Sequence, residues 1–378
     1  MDLSRQRAPG LVAGADGVGR RGGATGCTDG VRRRGAPTGA PTGCADGVRL
    51  TLAVPFRILG PMQTVAGPGG PAQTLGWIGA GRMGTAMAAR ALRAGHEVKV
   101  FNRTRSKTGP LVERGAKVAE TIGELADRDV VFITVASSDD LLKVLVGDEG
   151  LLTGSEVPRI IVDCSTVSMD ASAAARAAAD ERLVGFLAAP VSGNPKVARA
   201  GQLSMVVSGP RPTFEEVETA LRHIVKEVTY VGEGELSRLV KLCHNLHLGV
   251  VIQSLAEVTV LAQKGGVKRA DFLAFLNASI LGSPFTRYKS PALVNLDFEP
   301  TFTTRLLRKD FDLGLGEARL LESPMPVAAL VHQLLGQGIG NGLGDVDFAA
   351  VVEMIGKGAG LELEPENVPV ADGLDPED

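Results

Sequence analysis

Residues 74–95 read TLGWIGAGRMGTAMAARALRAG, and this stretch decides the fold. An apolar run of strand type, Thr74–Ile78, leads into Gly79, Ala80, Gly81, Arg82, Met83 and Gly84. An alanine-rich stretch of good helix formers follows at once. Glycines at the first, third and sixth positions between a strand and a helix make a cradle for a dinucleotide pyrophosphate. Gly79 permits the tight turn, Gly81 lets the pyrophosphate approach the backbone, and Gly84 lets helix and strand pack closely. The helix N-terminus favours the negative charge.

Working outward, short β-rich runs alternate with helical stretches such as SMDASAAARAAADERL up to residue 233. The strands are predicted at Thr74–Ile78, Glu97–Phe101, Asp129–Val135, Arg159–Asp163 and Leu183–Ala188. The third contains VVFITV, apolar throughout, as expected of a strand covered on both faces. Such alternation predicts an α/β Rossmann domain, a doubly wound parallel sheet, over 73–233. The pattern then changes. ELSRLVKLCHNLHLGVVIQSLAEVTVLAQK has no proline, and Leu236, Leu239, Val240 and Cys243 recur at helical spacing. A long buried helix is predicted there, joining the first domain to an all-α domain over 234–360.

The ends differ from both domains. Residues 1–72 hold 16 Gly and 7 Pro, and nine Arg against four Asp leave them at +5. So little apolar surface cannot offset chain entropy, so a disordered low-complexity leader is expected. A start at Met62, ahead of Gly79, would suffice for the fold. Residues 361–378 carry seven acids and no base, which predicts a solvated acidic tail.

Over all 378 residues the net charge is −3, with 44% hydrophobic and 4% aromatic residues. A near-neutral balance offers no general attraction for nucleic acid. No uninterrupted apolar run reaches the roughly 18 residues of a membrane span, and no secretory signal is visible. Cys27, Cys44, Cys164 and Cys243 form no C-x-x-C pair, which fits a reduced, cytoplasmic compartment. Cys243, His244 and His247 are read as packing residues, and no metal is expected.

Cofactor choice is read at the end of the second strand. An NAD site usually places a carboxylate there for the ribose hydroxyls. Here residues 102–107 read NRTRSK, with no acid. Arg103 and Thr104 suit a 2′-phosphate through charge-assisted and hydroxyl hydrogen bonds, so NADP is expected over NAD. Lys241 and Asn245 stand four apart on the long helix and share a face. A lysine on an apolar helix is costly without a partner or a task, and desolvation brings its proton exchange towards neutral pH.

Over residues 73–350 the chain resembles the β-hydroxyacid dehydrogenase family, which includes 3-hydroxyisobutyrate dehydrogenases and glyoxylate/succinic semialdehyde reductases. The resemblance rests on GWIGAGRMG, VDCSTVSMD, AAPVSGNPKVARAGQLSMVVSG, GELSRLVKLCHN and RKDFDLGL, in that order. It implies an NAD(P)-dependent oxidoreductase moving hydride between nicotinamide and a small β-hydroxy acid, or its aldehyde- or keto-acid partner. Lys241 would exchange the proton, with Asn245 orienting it. The cofactor residues would be Gly79, Ala80, Gly81, Arg82, Met83, Gly84, Asn102, Arg103, Thr104, Val135, Ala136, Thr166 and Lys309. Ser192, Gly193 and Asn194 would anchor the substrate carboxylate. A homodimer or homotetramer is implied, with a small-molecule substrate as the partner.

The chain departs from the family at Asn194–Pro195, where the usual loop reads S-G-G. Asn tolerates an unusual backbone angle, while Pro lacks an N–H donor. The sequence KLCHN is similar to 6-phosphogluconate dehydrogenase, whose helical domain is much longer. Imine reductases, a further set of relatives, usually lack the lysine. A non-catalytic NADPH-binding scaffold, its basic leader meeting an acidic partner, is the reading from another class.

Overall fold

The computed structural model describes residues 73–374, so the expectations for 1–72, for Met62 and for 375–378 lie outside the described residues. The chain first lays down β1 (Leu75–Ile78), α1 (Arg82–Arg93), β2 (Val98–Phe101), α2 (Gly109–Val112), β3 (Lys117–Val118), β4 (Val130–Ile133), α3 (Ser138–Val146), β5 (Ile160–Asp163), α4 (Met169–Glu181) and β6 (Gly185–Ala188). The strands align in the order β3-β2-β1-β4-β5-β6, every pair parallel. All residues of β1, β4 and β5 are buried, because helices cover both faces. The winding reverses between β1 and β4, the place where an open sheet of this kind takes its ligand. All five predicted strands are present, with trimmed ends.

A second, three-stranded sheet lies outside the sequence reading. It comprises β7 (Val191–Ser192), α5 (Pro195–Arg199), β8 (Ser204–Val207), α6 (Arg211–Ile224) and β9 (Glu227–Tyr230). β7 runs antiparallel to β8, and β9 parallel to it. Strands of two to four residues carry too little periodicity to stand out.

The helices α7 (Leu236–Lys264), α8 (Arg269–Ala278), α9 (Pro284–Asn295), α10 (Thr304–Leu320), α11 (Pro326–Gly340) and α12 (Val351–Gly358) form the rest. α7 has the length and apolarity of a membrane span, but half of that window is buried, and it packs on α10, α11 and α12. Its first turns correct the expected face. Leu236 and Val240 are 46% and 43% exposed, and Cys243 is exposed too. The inward stripe is Arg238, Lys241, Leu242, Asn245 and Gly249. It is polar because it meets buried acids. Arg238 binds Asp163 Oδ2 at 2.5 Å, the Ser165 carbonyl at 2.6 Å and Ser172 Oγ at 2.9 Å. That joins α7 to the end of β5 and to α4, and stranding either charge costs about 3–5 kcal/mol.

Two glycines set the spacing of α7 and α10. A Cβ on Gly249 would run into the Phe311 ring, and one on Gly314 would lie 2.9 Å from Leu246 Cδ1. The described part of the acidic end is no free tail. Leu361, Leu363, Val368 and Val370 pack against the helical core, while Glu362 and Glu364 face outward.

Candidate active site

The glycine cradle takes the form its spacing implies. Gly79 has φ +100°, and a Cβ there would strike the Thr134 carbonyl at the end of β4. A Cβ on Gly84 would strike the Gly79 carbonyl, so helix and turn touch through the missing side chain. Around Gly81, nothing lies within 4 Å of such a carbon. Gly81 is also the N-cap of α1 and supplies no side-chain cap, which leaves the helix-start N–H groups for a ligand. Those features fit a dinucleotide pyrophosphate.

Around the cradle, Asn102 Oδ1 accepts from the Ala80 N–H at 2.8 Å, and its Nδ2 donates to the Thr104 carbonyl at 2.8 Å. Asn102 thus ties the glycine turn to the end of β2. Arg103 is 84% exposed, with Asp140 Oδ1 at 3.7 Å. Arg82 donates to the Pro300 carbonyl. After β4, the Val135 N–H donates to Ser165 Oγ at 2.9 Å, and Ala136 leads to Ser137, the N-cap of α3. Lys309 donates to the Thr166 carbonyl at 2.8 Å, which brings α10 to the loop after β5.

One cleft of about 820 Å³ gathers Met83, Thr166, Ser192, Gly193, Asn194, Lys241 and Asn245. Its far wall is aromatic: Phe285, Tyr288, Phe302 and Phe348. Arg103, Thr104, Val135, Ala136 and Lys309 lie outside the cleft lining, as do the glycines of the cradle.

Lys241 is 9% exposed, and its Nζ donates to Asn245 Oδ1 at 2.9 Å. Asn245 Nδ2 in turn donates to Asp310 Oδ2 on α10. Burial brings the Lys241 pKa down to about 8; Asp310 pulls it back up and Lys309 pushes it down. His244 bridges two elements, with Nε2 2.8 Å from Ser192 Oγ and Nδ1 2.9 Å from Asn245 Oδ1. Burial, with help from Lys241, holds its pKa below the usual imidazole value.

The loop at 192–195 explains its own departure from S-G-G. The unusual backbone angle falls on Gly193, φ +129°, while Asn194 sits at an ordinary −121°. Asn194 Oδ1 caps α5, accepting from the N–H groups of Lys196 at 2.9 Å and Val197 at 3.0 Å. Pro195 occupies the first turn of that helix, where a missing N–H costs nothing. Asn194 Nδ2 is buried on the cleft wall without a partner among the described residues.

Sequence reading missed Asp310 as a site residue, along with His244 and the aromatic wall. A signal for Asp310 was present. Leu307, Asp310, Phe311 and Gly314 form the buried stripe of α10, an acid on an otherwise apolar face.

A reversing parallel sheet that ends on a glycine cradle, followed by a helical part that opens on a long helix, is the architecture of a two-part NAD(P)-dependent oxidoreductase. The family described as the NAD binding domain of 6-phosphogluconate dehydrogenase matches residues 74–232. That described as the NAD-binding of NADP-dependent 3-hydroxyisobutyrate dehydrogenase matches 236–355. The chain is 32% identical over 283 residues to chloroplastic glyoxylate/succinic semialdehyde reductase 2 of Arabidopsis thaliana, covering 75% of this chain and 79% of that one. It is 28% identical to the mitochondrial 3-hydroxyisobutyrate dehydrogenase of Drosophila melanogaster, over 76% of this chain and 91% of the relative. Among solved structures, Psf3 in complex with NADP+ and 2-OPP superposes with TM-score 0.69 at 25% identity, covering 75% of this chain and 100% of that one. The chain belongs to the β-hydroxyacid dehydrogenase family.

Proposed function

We propose that this chain is an NADP(H)-preferring oxidoreductase of small aldehyde- or keto-acids and their β-hydroxy acids, with Lys241 as the general acid and base. The observation that carries the reading is the placement of the Lys241 ammonium. It is buried, held by Asn245, and lines the same cleft as Met83, Thr166 and Ser192. The reductase and dehydrogenase activities named for its relatives and the NADP+ bound to Psf3 support it.

The dinucleotide, when bound, supplies or accepts the hydride. Residues 79–84 would hold its pyrophosphate, and Arg103 and Thr104 its 2′-phosphate. The Arg103–Asp140 contact is long and exposed, so it is worth little and is readily exchanged for a phosphate. In reduction, Lys241 gives its proton to the substrate carbonyl oxygen; in oxidation it takes one from the hydroxyl. Asn245 aims the ammonium, and Asp310 fixes the Asn245 amide. The Ser192 hydroxyl and the unpartnered Asn194 Nδ2 offer hydrogen bonds to the substrate's oxygens. Exposed Phe275, Ile280 and Leu281 support association into a homodimer or homotetramer.

The test is NADPH oxidation by the purified chain with glyoxylate, succinic semialdehyde and related keto-acids, repeated with NADH. Turnover of at least one acid, faster with NADPH, is expected. Reduction of cyclic imines but of none of the acids overturns the substrate class, and a preference for NADH overturns the cofactor choice.

A further inference from the structure

The chain beyond the family match, which ends at residue 355, returns to the cleft. α12 closes at Gly360, φ +70°, and the Leu361 N–H donates back to the Gly356 carbonyl at 2.8 Å. The following stretch is latched at three points. Leu363 fills the space over Gly356, where a Cβ would lie 2.7 Å from Leu363 Cγ. The Glu366 carboxylate accepts from the N–H groups of Arg269 at 2.7 Å and Ala270 at 3.1 Å, capping α8 from 97 residues away. Asn295 exchanges two hydrogen bonds with the Val368 backbone, at 2.9 and 3.2 Å. After Val370 the chain leaves the helical core. Gly373, φ +68°, passes beside Arg287, and Leu374 packs against the core that includes Val197, Leu203 and Met205. Gly373 and Leu374 both line the cleft that holds Lys241.

We propose that residues 361–374 form a fixed strap whose end, Gly373–Leu374, walls the substrate cleft and limits the length of acid it accepts. This rests on the cleft being the substrate site. Three latches anchor the strap to the helical core before it reaches the opposite core, so its end is held in place. A leucine side chain on the wall excludes by volume, and loss of a few methylenes from a pocket shifts discrimination measurably. The strap therefore makes Leu374 a specificity-determining residue for short acids over longer ones.

The experiment compares kcat/KM for succinic semialdehyde with that for glyoxylate in the wild type, Leu374→Gly and Leu374→Trp. Leu374 is only half-buried at the end of the strap, so both variants keep the latches. Leu374→Gly is expected to raise the ratio about tenfold and Leu374→Trp to lower it, the scale of methylene-level discrimination. A ratio within about twofold of wild type in both variants overturns the proposal. A second arm needs no turnover. Val251, on the cleft lining, is changed to cysteine, and peptide-resolved labelling of the new thiol is timed with methyl and benzyl methanethiosulfonates. Adding Leu374→Gly should speed the benzyl reagent relative to the methyl one, and an unchanged ratio overturns the wall. If no acid of the wider panel turns over but labelling shifts, the proposed function fails and the wall stands.

Discussion

The two halves of the candidate site are built from different materials. On the sheet side the candidate groups are backbone: the turn at Gly79, the open space at Gly81 and the uncapped start of α1. On the helical side they are side chains: Lys241, Asn245 and Asp310, assembled from α7 and α10. A backbone site is written in the glycines that permit it. A side-chain network depends on which helices meet, and 65 residues separate Asn245 from Asp310.

The sharpest way to break this contrast is Lys241→Met. It should lower kcat about 10²–10⁴-fold while NADPH affinity, measured by titration, changes little. Wild-type turnover would remove the helical side from the chemistry. The wild-type profile has a defined sign. Reduction needs the ammonium, so its rate should fall as pH rises through about 8, and oxidation, which needs the free amine, should rise over the same range. Next in size is Asp310→Ala, which strands the Asn245 amide. Expected is a kcat drop of about tenfold to a hundredfold, the rate equivalent of the roughly 1–3 kcal/mol of an unpaired buried donor. Because Asp310 raises the Lys241 pKa, its removal should also move the fall in reduction rate to lower pH.

Two glycine variants probe the sheet side. Gly84→Ala forces a carbon into a carbonyl and should cost about 1–3 kcal/mol of stability, read as a lower Tm. Gly81→Ala meets nothing in the protein, so Tm should hold while NADPH binding weakens. Equal Tm losses would mean that the space over Gly81 is structural. The smallest effect is expected from Arg103→Asp: about tenfold weaker NADPH binding with NADH spared, as for loss of one charge-assisted hydrogen bond.

The same contrast explains what the sequence disclosed. Gly79, Gly81 and Gly84 announced the cradle because each spacing answers one steric need. Lys241 and Asn245 were legible as a pair because four residues span one helical turn. The burial of Lys241 followed from the apolar helix it sits on, but Leu236 and Val240 lie outward, since acids at 163 and 310 draw the polar face inward. The acidic end misled for a similar reason. Its charges dominate the composition, but Leu361–Leu363 and Val368–Val370 alternate with period two, the mark of an extended segment with one apolar side.

The reciprocal notches of α7 and α10 carry a last consequence. Gly249 receives Phe311 and Gly314 receives Leu246, so neither rod can slide along or roll against the other. The spacing of Lys241 and Asn245 from Asp310 is therefore gauged by two positions outside the cleft lining. Adding one methyl group at either would shift the Lys241–Asn245–Asp310 network as a unit, an adjustment made from within the hydrophobic interior.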